Sequence, residues 1–304
     1  MKSVGILFPG QGAQRVGMGR SLCETYPTAQ RVFDEASEIL GYDLAKLCFD
    51  GPEERLGATE FSQPALFVVG MAAANVLSEE QPDRISAVTA AAGLSLGEYT
   101  AVCFAGGLQF CDGLKLVQRR GQAMQAAADA VDGGMASVLG LDLDAIENLC
   151  RECRQENEVL EPANLLCNGN IAVSGHRTAL ERLIHAAMDA GAMKVIPLNV
   201  AGAFHTSLMQ PAVEKLRAAL AEMPITDTRI PVYSNVDAAP HQSADEIRDL
   251  LGRQVIGSVR WEDSVRRMLK DGIDGFEEVG TGRILRGTLK RIDRKVRADG
   301  FGDE

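Results

Sequence analysis

The chain has 304 residues, a formal net charge of −11, and a composition rich in aliphatic residues, alanine and glycine, with few aromatic residues. A chain of this length can bury a large core and divide into a main domain and a smaller one, and its composition favours an α/β protein. The negative charge argues against nucleic acid or an anionic membrane as a general partner.

The N-terminal segment and the cysteines indicate a reducing compartment. The first apolar run is too short for a signal peptide, and no stretch is expected to approach the roughly 18 apolar residues of a membrane span. The seven cysteines are scattered, which is typical of buried thiols rather than of a disulfide framework. Cys150 and Cys153 have CxxC spacing without a second pair at zinc-ribbon distance. We therefore predict a cytoplasmic protein that uses no metal and no cofactor.

The first 130 residues alternate between strand-like and helix-like patterns. A short buried strand ends at Gly10-Gln11-Gly12, and a second strand-like run of small apolar residues leads into a serine at position 95. Helical spacing of apolar residues is clear in the long segment that follows. The predicted elements are a strand, two helices, a strand and a helix over residues 4–8, 28–40, 65–77, 87–92 and 112–130.

The pattern changes after Gly133-Gly134 in a way that predicts an inserted unit. A strand, a helix, two strands joined by Asn168-Gly169, a helix and a strand are expected over residues 135–141, 144–155, 163–167, 171–174, 177–190 and 194–198. This is the β-α-β-β-α-β order of a ferredoxin-like unit, and Asn-Gly is a strong hairpin signal. We predict a small domain over 128–199, inserted into a larger one made of 1–127 and 200–304.

The last third of the chain returns to the larger domain. Helices are predicted over 208–223, from 244 and over 261–271, and strands over 230–235 and 276–279. A final helix from Arg283 is expected to carry a basic stripe that could steer an acidic partner, with a solvated face as the alternative. The residues of this stripe are Arg283, Arg286, Lys290, Arg294 and Arg297.

A serine between two glycines follows the second predicted strand. Gly93, Ser95 and Gly97 form the pattern G-x-S-x-G, which is typical of a nucleophile elbow, a sharp turn from strand to helix. Such a turn exposes the serine hydroxyl and directs the backbone N–H of Leu96 toward the place where an oxyanion forms. The pentapeptide alone is as compatible with chance as with catalysis.

The loop after the first strand offers a second oxyanion donor. It fails the nucleotide-loop patterns, because Arg15 and Met18 stand where glycine and lysine are required. Gln11, flanked by glycine, can instead bring its backbone N–H close to a substrate oxygen. A plain strand-to-helix turn is the alternative.

Only one of the four histidines is a good candidate for a general base. His205 lies in a loop of small residues before a helix, where a side chain can face a cleft. His176, His185 and His241 are expected at the surface. Because no Asp occupies an obvious third position, a Ser-His dyad oriented by a carbonyl or amide group is predicted.

Two adjacent arginines, Arg119 and Arg120, lie on the long predicted helix. Neighbouring helical residues point about 100° apart, so at most one of them faces the site. A guanidinium there would bind a substrate carboxylate bidentately. The alternative, a solvated helix face, is favoured if this pair is taken alone.

Six motifs occur in the order found in malonyl-CoA:acyl carrier protein transacylases, and the chain resembles that family from about residue 4 to residue 292. They are Phe8-Pro9-Gly10-Gln11-Gly12, Ser62-Gln63-Pro64-Ala65, Gly93-Leu94-Ser95-Leu96-Gly97-Glu98-Tyr99, Arg120-Gly121 with Met124-Gln125, Gly202-Ala203-Phe204-His205 and Tyr233-Ser234-Asn235-Val236. The resemblance implies an α/β-hydrolase-like main domain with a ferredoxin-like insertion.

The resemblance also implies roles for individual residues. Ser95 would be acylated by malonyl-CoA, and His205 would act as base and then as acid. The backbone N–H groups of Gln11 and Leu96 would form the oxyanion hole. The acyl group would pass to the phosphopantetheine thiol of acyl carrier protein in a ping-pong scheme that supplies fatty acid synthesis.

Three more positions carry implied roles. Arg120 would hold the malonyl carboxylate, and the backbone carbonyl of Gln254 would orient the histidine in place of an Asp. Phe204 would fill the space that a 2-methyl branch needs and so select malonyl over methylmalonyl groups. A monomer is expected.

The sequence departs from the family at two places. Leu94 stands where the family usually has His, and Cys167-Asn168-Gly169-Asn170 replaces Ser-Pro-Gly-Gln in the hairpin. Three alternatives stay open: a serine thioesterase or other hydrolase on the same fold, a non-catalytic partner subunit, and a trans-acting acyltransferase of a polyketide synthase.

Overall fold

A computed structural model describes residues 2–303 and, within them, contains ten strands and fourteen α-helices. The strands are β1 (Val4–Phe8), β2 (Val88–Gly93), β3 (Gly133–Leu139), β4 (Leu160–Cys167), β5 (Asn170–His176), β6 (Lys194–Pro197), β7 (Val232–Tyr233), β8 (Pro240–His241), β9 (Gly275–Thr281) and β10 (Arg297–Asp303). The helices are α1 (Arg20–Thr25), α2 (Pro27–Leu40), α3 (Leu44–Asp50), α4 (Glu53–Gly57), α5 (Thr59–Glu80), α6 (Pro82–Ser86), α7 (Leu96–Phe104), α8 (Phe110–Asp129), α9 (Leu143–Cys153), α10 (Arg177–Asp189), α11 (Gln210–Glu222), α12 (Ala244–Arg253), α13 (Trp261–Lys270) and α14 (Ile284–Ile292), and a 3-10 turn covers Ser207–Met209.

The strands form two sheets in a mixed α/β fold. The larger sheet has the order β10-β9-β1-β2-β7-β8, and every pairing is parallel except that of β8 with β7. The smaller sheet has the order β4-β5-β3-β6 and is antiparallel throughout. Because β1 and β2 are parallel neighbours in the middle of the larger sheet, the loops that follow them meet at the same edge.

The small sheet and its two helices follow the segment order that the sequence predicts. The hairpin between β4 and β5 turns at Asn168-Gly169, where Gly169 has a φ of 68°. Helices α9 and α10 pack on this sheet through a separate apolar cluster that includes Ile146, Val173 and Leu183. The segment therefore has a core of its own.

Three sequence expectations are wrong. The final helix ends at Ile292, and Arg297 lies on β10, an edge strand that the sequence analysis missed. Arg286 is mostly buried and donates to Glu278, so the basic stripe is not one helix face. The strand expected over 230–235 is reduced to Val232–Tyr233, which is followed by a turn.

A further wrong expectation concerns helix α5. Its 22 residues are long and apolar enough to cross a membrane, with a mean hydropathy of 1.4 in the best window. The sequence analysis expected no such stretch. Of that window, 83% is buried inside the protein, because α5 packs against α2, α7, α8 and β9 in the main core. Burial on all sides explains a helix that is apolar all round.

Candidate active site

The turn that holds Ser95 is tight enough to require both of its glycines. Ser95 lies between β2 and α7 with a φ of 50° and a ψ of −101°, which L residues rarely adopt. A Cβ atom on Gly93 would lie 2.0 Å from the carbonyl carbon of Gly97, and one on Gly97 would lie 2.1 Å from the carbonyl oxygen of Phe8. The glycines therefore let the strand, the helix and the neighbouring strand approach closely around one hydroxyl.

His205 is positioned to accept a proton from Ser95. Its Nε2 lies 2.8 Å from the Ser95 Oγ, and its Nδ1 lies 3.0 Å from the backbone carbonyl oxygen of Gln254. Since a carbonyl only accepts, Nδ1 carries the proton and Nε2 is free to accept one. Burial and then the nearby charge of Arg120 lower the pKa of His205 to about 4, so the imidazole is neutral near pH 7.

Arg120 lies beneath this pair and is 1% exposed. One terminal nitrogen donates to the Oε1 of Gln63 at 2.7 Å, and the other donates to the Ser95 Oγ at 3.0 Å and to the Oε1 of Gln254 at 2.9 Å. The guanidinium also lies 4.9 Å from the ring centre of Tyr99. Among residues 2–303 its buried Nε has no hydrogen-bond partner, which leaves one N–H donor of the guanidinium unused.

Arg119 points away from the site, which agrees with the expectation that at most one of the two arginines faces it. It is half exposed and forms an ion pair with Glu222 at 2.5 Å. The structure thus separates the two arginines into one buried beside Ser95 and one on the surface.

A narrow cavity of about 70 Å³ opens onto the Ser95 hydroxyl. Both expected oxyanion donors, Gln11 and Leu96, lie in its wall, and within residues 2–303 neither backbone N–H has an acceptor in the protein. A Cβ atom on Gly10 would lie 2.2 Å from the carbonyl oxygen of Leu94. The close contact brings the loop after β1 against the elbow, so that both free N–H groups border one cavity. Its wall comprises Gln11, Gln63, Leu94, Ser95, Leu96, Arg120, Met124, Met135, Asn164, Leu198, Val200, Phe204 and His205.

Of the remaining positions singled out in the sequence, some lie in the cavity wall and others lie elsewhere. Phe204 is 5% exposed and lies in the cavity wall, as does Leu94, which makes that part of the wall apolar. The altered hairpin lies beside a different cavity, and the Asn170 Oδ1 accepts a hydrogen bond from Ser137. The other histidines, His176, His185 and His241, are not in the wall.

Sequence analysis assigned no role to Gln63, Glu98 or Asn235, although each stands inside a quoted motif. All three are buried and hydrogen-bonded around Ser95 or Arg120. The available signal was a polar residue within an apolar segment, since Gln63 lies on the core helix α5 and Glu98 lies in the first turn of the apolar helix α7. Buried polar residues of this kind need specific partners.

Comparison with known proteins identifies close relatives. The acyl transferase domain family matches residues 6–285. The chain is 38% identical over 305 residues to a malonyl CoA-acyl carrier protein transacylase of Bacillus subtilis, covering all of this chain and 94% of the relative. It is 40% identical to a protein of the same description in Escherichia coli K12, with 96% and 93% covered. A solved malonyl-transacylase in complex with a type II PKS acyl-carrier protein is 37% identical, covers 99% of this chain and 96% of that one, and superposes with a TM-score of 0.95.

Proposed function

The chain belongs to the malonyl CoA-acyl carrier protein transacylases and is an acyltransferase, and from this premise we propose that it transfers malonyl groups through a malonyl-Ser95 intermediate. The donor is malonyl-CoA, and the acceptor is the phosphopantetheine thiol of an acyl carrier protein. The observation that carries the proposal is the buried Arg120, which has a free Nε and lies 3.0 Å from the Ser95 hydroxyl.

In the first half-reaction, the Ser95 Oγ attacks the thioester carbonyl while His205 Nε2 takes the hydroxyl proton. The negative charge that forms on the carbonyl oxygen is stabilised by the N–H groups of Gln11 and Leu96. Collapse of this intermediate breaks the C–S bond, and the departing CoA thiolate takes the proton from His205. The products are malonyl-Ser95 and CoA.

The second half-reaction runs the same steps in reverse order. His205 takes the proton of the carrier protein thiol, and the thiolate attacks the ester carbon of malonyl-Ser95. Loss of the Ser95 oxygen as an alkoxide, which recovers its proton from His205, gives the malonyl thioester and free enzyme. The carbonyl of Gln254 keeps the imidazole in the one tautomer that serves both halves.

Arg120 favours malonyl transfer over simple hydrolysis. A carboxylate can accept from the free Nε and from the neighbouring terminal nitrogen as a bidentate pair, displacing that nitrogen from Ser95. An ordinary esterase has no use for a buried cation at this position. The small cavity, walled by Phe204, Met124 and Met135, also suits a short acyl group.

We assign the fold to an α/β-hydrolase-like main domain, residues 1–127 and 200–304, with a ferredoxin-like domain inserted over 128–199. The strand order β4-β5-β3-β6 and the separate apolar cluster support the insertion. Met135 and Asn164 of the inserted segment share the cavity wall with Ser95 and His205, so the site lies between the two parts.

A second cleft, of about 640 Å³, could receive the arm of the thioester. It shares Val200 with the catalytic cavity and is bordered by Arg15, Gln125 and Asn199. We propose that the protein acts as a monomer on these substrates, without nucleic acid or membrane as a partner.

The test is transfer from radiolabelled malonyl-CoA with and without holo carrier proteins. We expect label on the carrier protein, none with Ser95→Ala, and little free malonate when the carrier is omitted. Release of malonate at the same rate with and without carrier would identify a hydrolase. The chemistry is the same for carrier proteins of fatty acid synthesis and of type II polyketide synthesis. Parallel assays with both kinds of carrier protein therefore show which one the enzyme serves.

A further inference from the structure

A buried carboxylate, Glu98, lies beneath Ser95, and the transfer steps above make no use of it. Glu98 is 3% exposed in the first turn of α7. Its Oε2 accepts from the Gln254 side-chain Nε2 at 2.6 Å and from the backbone N–H of Asn235 at 3.0 Å. Among the described residues it has no ion-pair partner within bonding distance. A carboxylate held by neutral donors in the interior costs stability, so stability alone does not explain it.

Gln254 connects Glu98 to each part of the candidate machinery. Its side-chain Nε2 also donates to the Ser95 carbonyl at 3.0 Å, its Oε1 accepts from Arg120, and its backbone oxygen accepts from His205. Because a carboxylate only accepts and a guanidinium only donates, Glu98 and Arg120 together fix which way the amide points. With Nε2 turned toward Glu98, Oε1 faces Arg120.

Asn235 connects Glu98 to the elbow itself. Its Oδ1 accepts from the Ser95 N–H at 2.7 Å, and its Nδ2 donates to the Gly93 carbonyl at 2.8 Å. Strand β7 pairs with β2 only as far as Tyr233, so the Asn235 amide continues the pairing where the ladder stops. The two bonds bracket the strained conformation of Ser95.

We propose that Glu98 is a positioning residue for acyl transfer, which aligns Ser95 and His205 by holding the Gln254 amide and the Asn235 backbone. In a Ser-His-Asp triad the carboxylate contacts the imidazole directly. Here it acts one residue away, through Gln254. The inference rests on the proposed function of Ser95 and His205.

The test compares Glu98→Gln with Glu278→Gln in the full chain. Glu278 is equally buried and caps the start of α14 through Leu285 and Arg286, so it controls for the loss of a buried carboxylate. Single-turnover acylation by malonyl-CoA, normalised to folded protein, should fall about 10- to 100-fold in Glu98→Gln, because small misalignment is costly. The KM for malonyl-CoA should stay within about threefold. Glu278→Gln should react at close to the wild-type rate.

A double-mutant cycle with Gln254→Ala tests the route of the effect. If Glu98 acts through Gln254, Glu98→Gln should slow acylation less in the Gln254→Ala variant than in the wild type. On a logarithmic scale, its effect in that variant should be less than half of its effect alone. Additive losses, or equal rates for Glu98→Gln and Glu278→Gln, would overturn the assignment. Failure of wild-type Ser95 to be acylated would instead overturn the proposed function, which the same experiment reports separately.

Discussion

The two sides of Ser95 differ in how completely their polar groups are paired. Below the serine, within residues 2–303, no buried side-chain polar atom of Glu98, Asn235 or Gln254 lacks a hydrogen-bond partner. Two residues of the cavity wall, Arg120 and Asn164, each have a buried polar atom, Nε and Oδ1, that lacks a hydrogen-bond partner among residues 2–303. A buried polar group without a partner costs about 1–3 kcal/mol. The layer of Glu98, Asn235 and Gln254, with all its buried polar atoms paired, fits the positioning role that we propose for it, and the unpaired atoms of Arg120 and Asn164 are those that we propose substrate contacts.

The largest expected effect comes from removing the guanidinium of Arg120. Arg120→Ala leaves the malonyl carboxylate uncompensated in a closed site, at a cost of roughly 3–5 kcal/mol. This corresponds to a loss of about two to four orders of magnitude in kcat/KM for malonyl-CoA. Acetyl-CoA has no carboxylate, so its transfer should hold or rise.

The effect of Arg120→Ala is measured as single-turnover acylation of Ser95 with each thioester, and two other variants serve as controls. Arg119→Ala should change neither substrate, because Arg119 pairs with Glu222 on the surface. Arg120→Lys should restore malonyl transfer only in part, since an ammonium is a point charge without the fork. Equal slowing of both thioesters by Arg120→Ala would make the arginine structural.

The rate of acylation should fall toward low pH, and this acid limb of the pH–rate profile should be set by the pKa of Glu98 rather than by that of His205. Burial raises the pKa of Glu98 to about 7, against hydrogen bonds from Asn235 and Gln254 and the charge of Arg120. Above this pH Glu98 only accepts hydrogen bonds and fixes the orientation of the Gln254 amide, whereas below it the protonated acid can also donate and holds the amide less well. The acylation rate should therefore rise with pH and be about a tenth of its maximum at pH 6.

The variant Glu98→Gln has no group that titrates at this position, so its slower rate should be flat between pH 6 and 8. The pKa of His205, at about 4, leaves the imidazole neutral over this range. Identical profiles for the variant and the wild type would assign the limb to another group.

Asn164→Ala tests the other unpaired atom. If the Asn164 Oδ1 accepts a hydrogen bond from the thioester arm, its loss should lower kcat/KM about 2- to 10-fold. Malonyl-CoA and acetyl-CoA should suffer equally, because both carry the same arm. A loss confined to malonyl-CoA would place Asn164 at the carboxylate instead.

The smallest expected change concerns the acyl selectivity of the apolar wall. Phe204→Ser opens space beside His205 and should raise the ratio of methylmalonyl to malonyl transfer several-fold, which is less than the roughly 10- to 200-fold that a pocket shaped for one methylene can supply. Competition between the two thioesters measures the ratio directly. An unchanged ratio would remove Phe204 from the selectivity of the site.

Local sequence signals predicted several elements around the candidate active site. The elbow at Ser95 and the Asn168-Gly169 hairpin both follow from local turn chemistry, and both form where expected. Helix geometry alone predicts that at most one of Arg119 and Arg120 faces the site, and only Arg120 is buried beside Ser95. These features depend on a few consecutive residues, and therefore they can be read without knowledge of the tertiary structure.

Contacts between distant segments could not be predicted in this way. Glu98 and Gln254 are 156 residues apart, and Ser95 and Asn235 are 140 residues apart. Strand β10 was missed because Arg297–Asp303 contains two glycines and three charges, and it pairs only because β9 supplies a parallel edge. The prediction of a basic stripe along the final helix was wrong because helical spacing in sequence does not show where a helix ends.

Intact-mass measurement of the protein mixed with malonyl-CoA shows directly whether Ser95 carries the malonyl group during transfer. We expect the mass to rise by one malonyl group, located by peptide mapping to Ser95, and to return to its original value when a holo carrier protein is added, with the malonyl group recovered on the carrier. Ser95→Ala should stay unlabelled. A malonyl group on another residue, or one lost to water as fast as to the carrier protein, would rule out transfer through malonyl-Ser95.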